Sequence, residues 1–296
     1  MEIKITNLNK IYPGGHPALI DIDLTIGEGM FGLLGPNGAG KSTLMRILVT
    51  LMQPSSGEVL INGRDINKQR KEVRKMLGYL PQDFRFFAKL RSWEFLDYAA
   101  RLAGMTSTKE RLDQVDRMLR DVGLYEVRNR MANKLSGGMK RRLGIAQALI
   151  SQPSIIIVDE PTTGLDPEER IRFRNLLSEL SHTETIIILS THIVGDISST
   201  CKQMALLNEG KLVYDGAPDK LVTGAKGFVW QASVSEEQYE DMKENYPIIS
   251  TIPSGDGWEI QFVGEKPADI EAREIHPNLE HAYVHFMENT LNHWNL

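Results

Sequence analysis

Apolar and polar residues alternate at the start of the chain. Ile3 and Ile5 share one side of Glu2-Ile3-Lys4-Ile5-Thr6, and the same period of two returns in Asp21-Ile22-Asp23 and Leu24-Thr25-Ile26. Residues 1 to about 30 therefore read as strands. Met30-Phe31-Gly32-Leu33-Leu34 is instead a continuous apolar run that ends in a glycine-rich loop. Helix-like Thr43-Leu44-Met45-Arg46-Ile47-Leu48 follows, giving strand, loop, helix. Val59-Leu60-Ile61 before Asn62-Gly63 is a short strand with a turn signal.

Helical spacing dominates from about Leu90 to Leu149, rich in Arg, Leu and Met. Ile155 to Val158 and Ile186 to Leu189 are again unbroken apolar runs, as expected of central strands covered on both faces of a parallel sheet. The helix between them starts at Pro167, with Asp166 placed to cap it. Met204 to Leu207 and Lys211 to Tyr214 flank Asn208-Glu209-Gly210 as a hairpin. The character shifts near Gly224 to Gly227, beyond which the pattern gives strand (228–234), helix (235–246), two strands (248–252 and 258–263) and a closing helix after Pro277. In that helix Leu279, Ala282, Tyr283, Phe286, Met287 and Thr290 share one side. No internal repeat or low-complexity segment is present.

The 296 residues, 41% hydrophobic and 25% charged, fit an ordinary globular chain of one large domain, or of one domain plus a small appendage. A net charge of −5 leaves no basic excess for a nucleic-acid backbone, so no nucleic-acid partner is expected. The one cysteine, Cys201, has no partner for a disulfide or a metal site and reads as a buried small hydrophobe in a reducing cytoplasm. No stretch approaches the ~20 apolar residues that cross a bilayer, and the N-terminus lacks a signal-peptide pattern. Work at a membrane would require spans from another polypeptide.

Gly35-Pro36-Asn37-Gly38-Ala39-Gly40-Lys41-Ser42-Thr43 has the spacing of a phosphate-binding loop. Glycines let successive backbone N–H groups turn inward on phosphate oxygens, and the following helix adds its positive end. Lys41 would reach the terminal phosphates and the Ser42 hydroxyl would bind Mg²⁺. Asp159-Glu160 ends an apolar strand, where Asp159 can orient the Mg²⁺ shell and Glu160 can polarise an attacking water. An acidic pair after a strand is by itself usually a solvated turn; the phosphate loop reverses that reading. His192 lies just past a strand, where a further catalytic group could face the γ-phosphate, and Gln82 follows Gly78-Tyr79-Leu80-Pro81 at another strand end. Leu135-Ser136-Gly137-Gly138-Met139 opens a helix carrying Lys140, Arg141 and Arg142. Ser136 can cap it, making a second anion site or simply a capped helix with a glycine-rich start.

In this order the segments resemble the nucleotide-binding subunit of an ABC transporter. The phosphate loop, Gln82, Leu135 to Met139, Ile155 to Glu160, Gly164-Leu165-Asp166 and His192 are similar to its Walker A, Q-loop, signature, Walker B, D-loop and switch histidine. Tyr12 matches the aromatic residue that stacks on adenine. The resemblance spans residues 1 to about 220. It implies an α/β fold: a P-loop NTPase core with an antiparallel β subdomain and an inserted helical subdomain (about 83–150). The ATP-binding domain would cover 1–224, and a small C-terminal α+β domain 225–296.

The resemblance also implies two copies meeting head to tail on ATP. Lys41, Ser42, Thr43, Asp159, Glu160 and His192, with Gly35, Asn37, Gly38 and Gly40, would act from one copy. Ser136, Gly137 and Gly138 would reach the same ATP from the other, with Asp166 nearby. ATP and Mg²⁺ are the implied cofactors, with Ser42, Gln82 and Asp159 around the metal. A transmembrane permease is the implied partner, and the inner face of the cell membrane the implied location. Met139 stands where the signature usually has Gln, which removes a side-chain contact but no backbone N–H.

Pro277 to Phe286 resembles, more weakly, the end of motors that export drugs, antibiotics or lipids, of the bacitracin-resistance and sodium-exporter type. His281 and His285 are spaced i, i+4 without an evident third metal ligand, so they read as an exposed helix face. Export is the expected task; a soluble ATPase acting on ribosomes or DNA and an importer motor are the alternatives. One motor domain and no sustained heptads argue against the soluble alternative.

Overall fold

The computed structural model describes residues 1–84, 86, 89–162, 165–180 and 184–294, the side chains of 290–294 excepted. Gly164 of the D-loop-like segment lies outside the described residues. The chain divides into two compact units, one of residues 1–196 and 200–215, the other of 197–199 and 216–296.

In chain order the first unit begins with β1 (Ile3–Ile11), β2 (Pro17–Ile26), β3 (Gly29–Leu34), α1 (Lys41–Leu48), β4 (Ser56–Ile61), β5 (Arg64–Asp65), α2 (Arg70–Met76) and β6 (Leu77–Leu80). Helices α3 (Ser92–Leu102), α4 (Thr108–Asp121) and α5 (Gly137–Leu149) follow. Then come β7 (Ile155–Asp159), α6 (Pro167–Leu180), β8 (Ile186–Thr191), α7 (Val194–Ser198), β9 (Gln203–Asn208) and β10 (Lys211–Gly216). Strands β2-β1-β4-β5 form an antiparallel sheet in that order. The alternation at the N-terminus does what it predicts. It buries Ile3, Ile5 and Leu8 on β1 and, across the pair on β2, Ile22, Leu24 and Ile26.

The larger sheet runs β10-β9-β3-β8-β7-β6. Strands β9, β3, β8, β7 and β6 are parallel neighbours. Every residue of β7 and β8 is buried, which is why both read as unbroken apolar runs. In register, Leu33 sits beside Ser190 and Ser190 beside Asp159. The carboxyl ends of the three central strands therefore line up, and parallel sheets place their ligand sites at that edge.

The helical spacing expected from about 90 to 149 resolves into three helices. α4 is capped by Ser107, and 3-10 turns at Tyr125–Val127 and Ala132–Lys134 lead into α5. Phe95, Leu96, Val115, Leu119, Leu143 and Ala146 are buried among them. Asp97 and Arg111 are also buried and form an ion pair, with Arg101 on the outer side of Asp97.

The second unit holds α8 (Pro218–Gly224), β11 (Val229–Ser235), α9 (Glu236–Asn245), β12 (Ile248–Ser254), β13 (Gly257–Val263), β14 (Ala272–Glu274) and α10 (Leu279–Trp294). Its antiparallel sheet runs β12-β13-β11-β14 over a core of Ala232, Val234, Met242, Ile260, Phe262 and Ala272. The histidine pair on α10 is not an exposed face. His281 is buried, its Nδ1 accepting from Asn278 N at 3.3 Å and its Nε2 lying 3.2 Å from Gln261 Oε1. His285 stacks on Phe228 with centroids 4.5 Å apart. The cause is that the i, i+4 spacing puts both rings on the side of α10 packed against its own unit. Burial lowers both imidazole pKa values.

Candidate active site

The phosphate loop springs from the buried end of β3. Gly38 and Gly40 take left-handed backbone angles (φ 85° and 105°), and a Cβ at Gly40 would stand 2.5 Å from the carbonyl of Ala18. Only glycine lets α1 start there. The β9–β10 turn braces the loop from outside, Gly210 N donating to Ala39 O at 3.1 Å while Ile20 N donates to Gly210 O at 2.8 Å.

Lys41 is the first residue of α1 and is 5% exposed. Its ammonium donates to the carbonyls of Gly35 (2.7 Å) and Pro36 (3.0 Å) and lies 3.6 Å from Glu160 Oε1. Burial lowers its pKa, with Glu160 and Asp159 pulling the other way. Ser42 is half-buried, and Asn37 and Gly38 are exposed. Thr43 shares a hydrogen bond of 3.1 Å with the hydroxyl of Tyr12, which the β1–β2 turn carries over the start of α1. Tyr12 is thus beside the phosphate loop.

Asp159 and Glu160 are 3% and 6% exposed, far more buried than a solvated turn would leave them. Ser190 Oγ donates to Asp159 Oδ1 at 2.5 Å, and Glu160 N donates to Ser190 O at 3.1 Å. Glu160 itself has a left-handed backbone, φ 44°. Its Oε2 accepts from Gln82 Nε2 at 3.2 Å and lies 3.3 Å from His192 Nδ1. One carboxylate thus gathers Lys41 from the start of α1, Gln82 from beyond the end of β6 and His192 from beyond the end of β8.

Ser136 and Gly137 stand exposed at the start of α5, where the Ser136 hydroxyl accepts from Met139 N at 3.2 Å. Asp166 caps α6 through Glu169 N at 2.9 Å. Neither belongs to the Glu160 cluster within one chain. The residue that sequence reasoning missed is Arg141. Its guanidinium donates to five backbone carbonyls: Pro161 (2.8 Å), Pro81 (3.4 Å), Gln82 (2.9 Å), Asp159 (3.1 Å) and Glu160 (2.6 Å). The only signal in the sequence is its place among three basic residues one turn into α5. Beside Gln82 a cleft of about 1120 Å³ opens, lined by Arg46, Tyr79, Tyr98, Leu102 and Asp159 among others. Burial, helped by Asp159, pushes the Tyr79 hydroxyl up to about 12, so it stays protonated.

The ABC transporter family profile matches residues 19–163. The bacitracin transport ATP-binding protein BcrA of Bacillus licheniformis is 36% identical over 213 residues, covering 71% of this chain and 68% of the relative. The Nod factor export ATP-binding protein I of Cupriavidus metallidurans is 34% identical over 226 residues, covering 76% and 74%. The chain belongs to the ABC transporter ATP-binding family. That family binds and hydrolyses ATP. Among solved structures, a dimeric, post-hydrolysis form of the ATP-binding cassette MJ0796 with ADP and Pi superposes with a TM-score of 0.66 at 28% identity, covering 73% of this chain and 98% of that one. This ABC ATPase thus has the α/β fold that its motifs imply.

Proposed function

We propose that this ABC ATPase works as a head-to-tail pair on Mg-ATP and drives export through a separate membrane-spanning partner. The observation that carries the reading is the Glu160 carboxylate, held at the sheet edge between Lys41, Gln82 and His192. A buried base so placed can take the proton of a water attacking the γ-phosphate. Lys41 would leave its carbonyl partners for the terminal phosphates, where a buried cation counts for more than in water. The loop from Gly35 to Gly40, with Asn37, and the start of α1 with Ser42 and Thr43 would hold the remaining phosphate oxygens.

The oxygen donors Ser42, Gln82 and Asp159 suit a hard cation, so Mg²⁺ fits there and would neutralise phosphate charge. Tyr12, hydrogen-bonded to Thr43, would stack on the base. His192 would hold the γ-phosphate as charge develops on it.

The exposed Ser136 and Gly137, with the half-buried Gly138 beside them at the helix N-terminus, would complete the site from the second copy, with that copy's Asp166 close by. Loss of the γ-phosphate then removes what both copies grip, and the pair opens. Among the described residues no helix is long and apolar enough to cross a membrane. A permease would supply the spans, holding the pair at the cytoplasmic face. The cleft beside Gln82, with Leu51, Tyr98 and Leu102 exposed around it, suits that partner. Export as the direction draws on the Nod factor export relative.

The test is Glu160→Gln. The variant should bind ATP, elute as a dimer with ATP, lose hydrolysis by about 10²-fold or more, and abolish export in vesicles containing the permease. Hydrolysis at the normal rate would overturn the assignment.

A further inference from the structure

The guanidinium of Arg141 has five N–H donors in one plane, and five carbonyls from two separate segments receive them. One segment, Pro81-Gln82, leaves β6. The other, Asp159-Glu160-Pro161, leaves β7 and includes the left-handed turn at Glu160. Arg141 itself stands on α5, five residues beyond Ser136, or about 7.5 Å along the helix axis. A single planar group therefore ties the exposed serine-diglycine turn to the backbone under the hydrolytic carboxylate and under its Gln82 partner.

We propose that Arg141 is a positioning residue that couples the two ATP sites of the pair. The proposal rests on the head-to-tail reading above. In that arrangement the turn at Ser136 serves the partner's ATP, whereas Glu160 and Gln82 serve the chain's own. A shift of α5 when the partner's nucleotide arrives or leaves is transmitted through the guanidinium to the carbonyls of Gln82 and Glu160. The link works because its fork is rigid: a lysine ammonium has three donors at a point and cannot reach both segments at once. The neighbouring Arg142 holds the other side of α5, pairing with Glu169 at 3.2 Å and donating to Val122 O at 3.0 Å. That side is thereby anchored without touching Glu160.

The experiment compares wild type, Arg141→Lys and Arg141→Gln as full chains with the permease. The readouts are kcat, KM for ATP, the Hill coefficient of hydrolysis and Tm. The expected result is a kcat lowered by about 10- to 100-fold, since misplacing a catalytic group by an ångström costs that much. KM should stay within about threefold because Lys41 and its loop are untouched, and the Hill coefficient should fall toward one. A merely structural arginine would move Tm, KM and kcat together and leave the Hill coefficient alone; that outcome overturns the proposal, as does an unchanged kcat in either variant. If Glu160→Gln is inactive and dimeric while Arg141→Lys is normal, only the coupling falls. If Glu160→Gln hydrolyses normally or stays monomeric with ATP, the pairing itself falls and takes the coupling with it.

Discussion

Gln82 and Glu160 are 78 positions apart, yet Gln82 Nε2 donates to Glu160 Oε2 across 3.2 Å. The sheet makes this contact. β6 and β7 are parallel neighbours with Leu80 beside Val158, so the residues that follow each strand leave the same edge together. The glutamine therefore bridges the Glu160 carboxylate and the chain that leads into α3.

Replacing Gln82 with Glu should make hydrolysis pH-dependent near neutrality. Two adjacent carboxylates cannot both ionise cheaply, so the pair would keep a proton to higher pH. The proposed base, Glu160, must be ionised to act, so kcat of Gln82→Glu should rise with pH, whereas Gln82→Ala should lack that limb. Profiles of kcat from about pH 5.5 to 8.5 check this.

Ser136→Ala should cost about 1 kcal/mol of stability in urea unfolding, the usual value of a lost N-cap. In the proposed head-to-tail pair the turn would serve the other copy's nucleotide, so the variant's effect on hydrolysis should exceed its effect on ATP binding by the isolated chain. Equal losses in both would speak for a cap and nothing more.

Asp97 and Arg111, 7% and 4% exposed, form an ion pair joining α3 and α4. Asp97→Ala strands a buried guanidinium and should cost about 3–5 kcal/mol in urea unfolding. The double variant Asp97→Leu, Arg111→Met should recover most of that loss, since it leaves no buried unpaired charge and Arg101, 61% exposed, stays hydrated.

Burial pushes the Cys201 thiol from 9.0 up to about 11. At pH 8 the folded chain should resist iodoacetamide, and the urea-unfolded chain should react readily. The linkage has a definite sign. Below pH 9 both states keep the proton and nothing changes. As pH rises from 9 through 11 only the unfolded state ionises, so stability is lost across that window. Comparing urea midpoints of wild type and Cys201→Ala at pH 8 and pH 10 measures it.

Much of this is legible in the sequence, for physical reasons. β3, β7 and β8 are covered on both faces and so must be apolar throughout. Phosphate binding needs glycine angles, a lysine and a hydroxyl at fixed spacing. Asp166 and Ser136 show themselves because helix ends need acceptors. What stays hidden depends on pairing or on the third dimension. β5 has two residues and β14 three, too short for any period to appear. α2 is mostly exposed, with Val73 its one fully buried residue, so it carries little apolar pattern. Arg141 acts only through backbone carbonyls, which every residue possesses, so no partner residue type betrays it. His281 looks like a surface histidine until Gln261 and Asn278 are brought beside it.

The left-handed backbone at Glu160 has a consequence for what the chain can become. A glutamate there is strained, and glycine or asparagine would sit more comfortably. Glu160→Gly or Glu160→Asn would relieve that strain and at the same time take the carboxylate away from Lys41, Gln82 and His192. An acid at that bend is therefore held at a cost in backbone strain, which the buried contacts of its own side chain must offset.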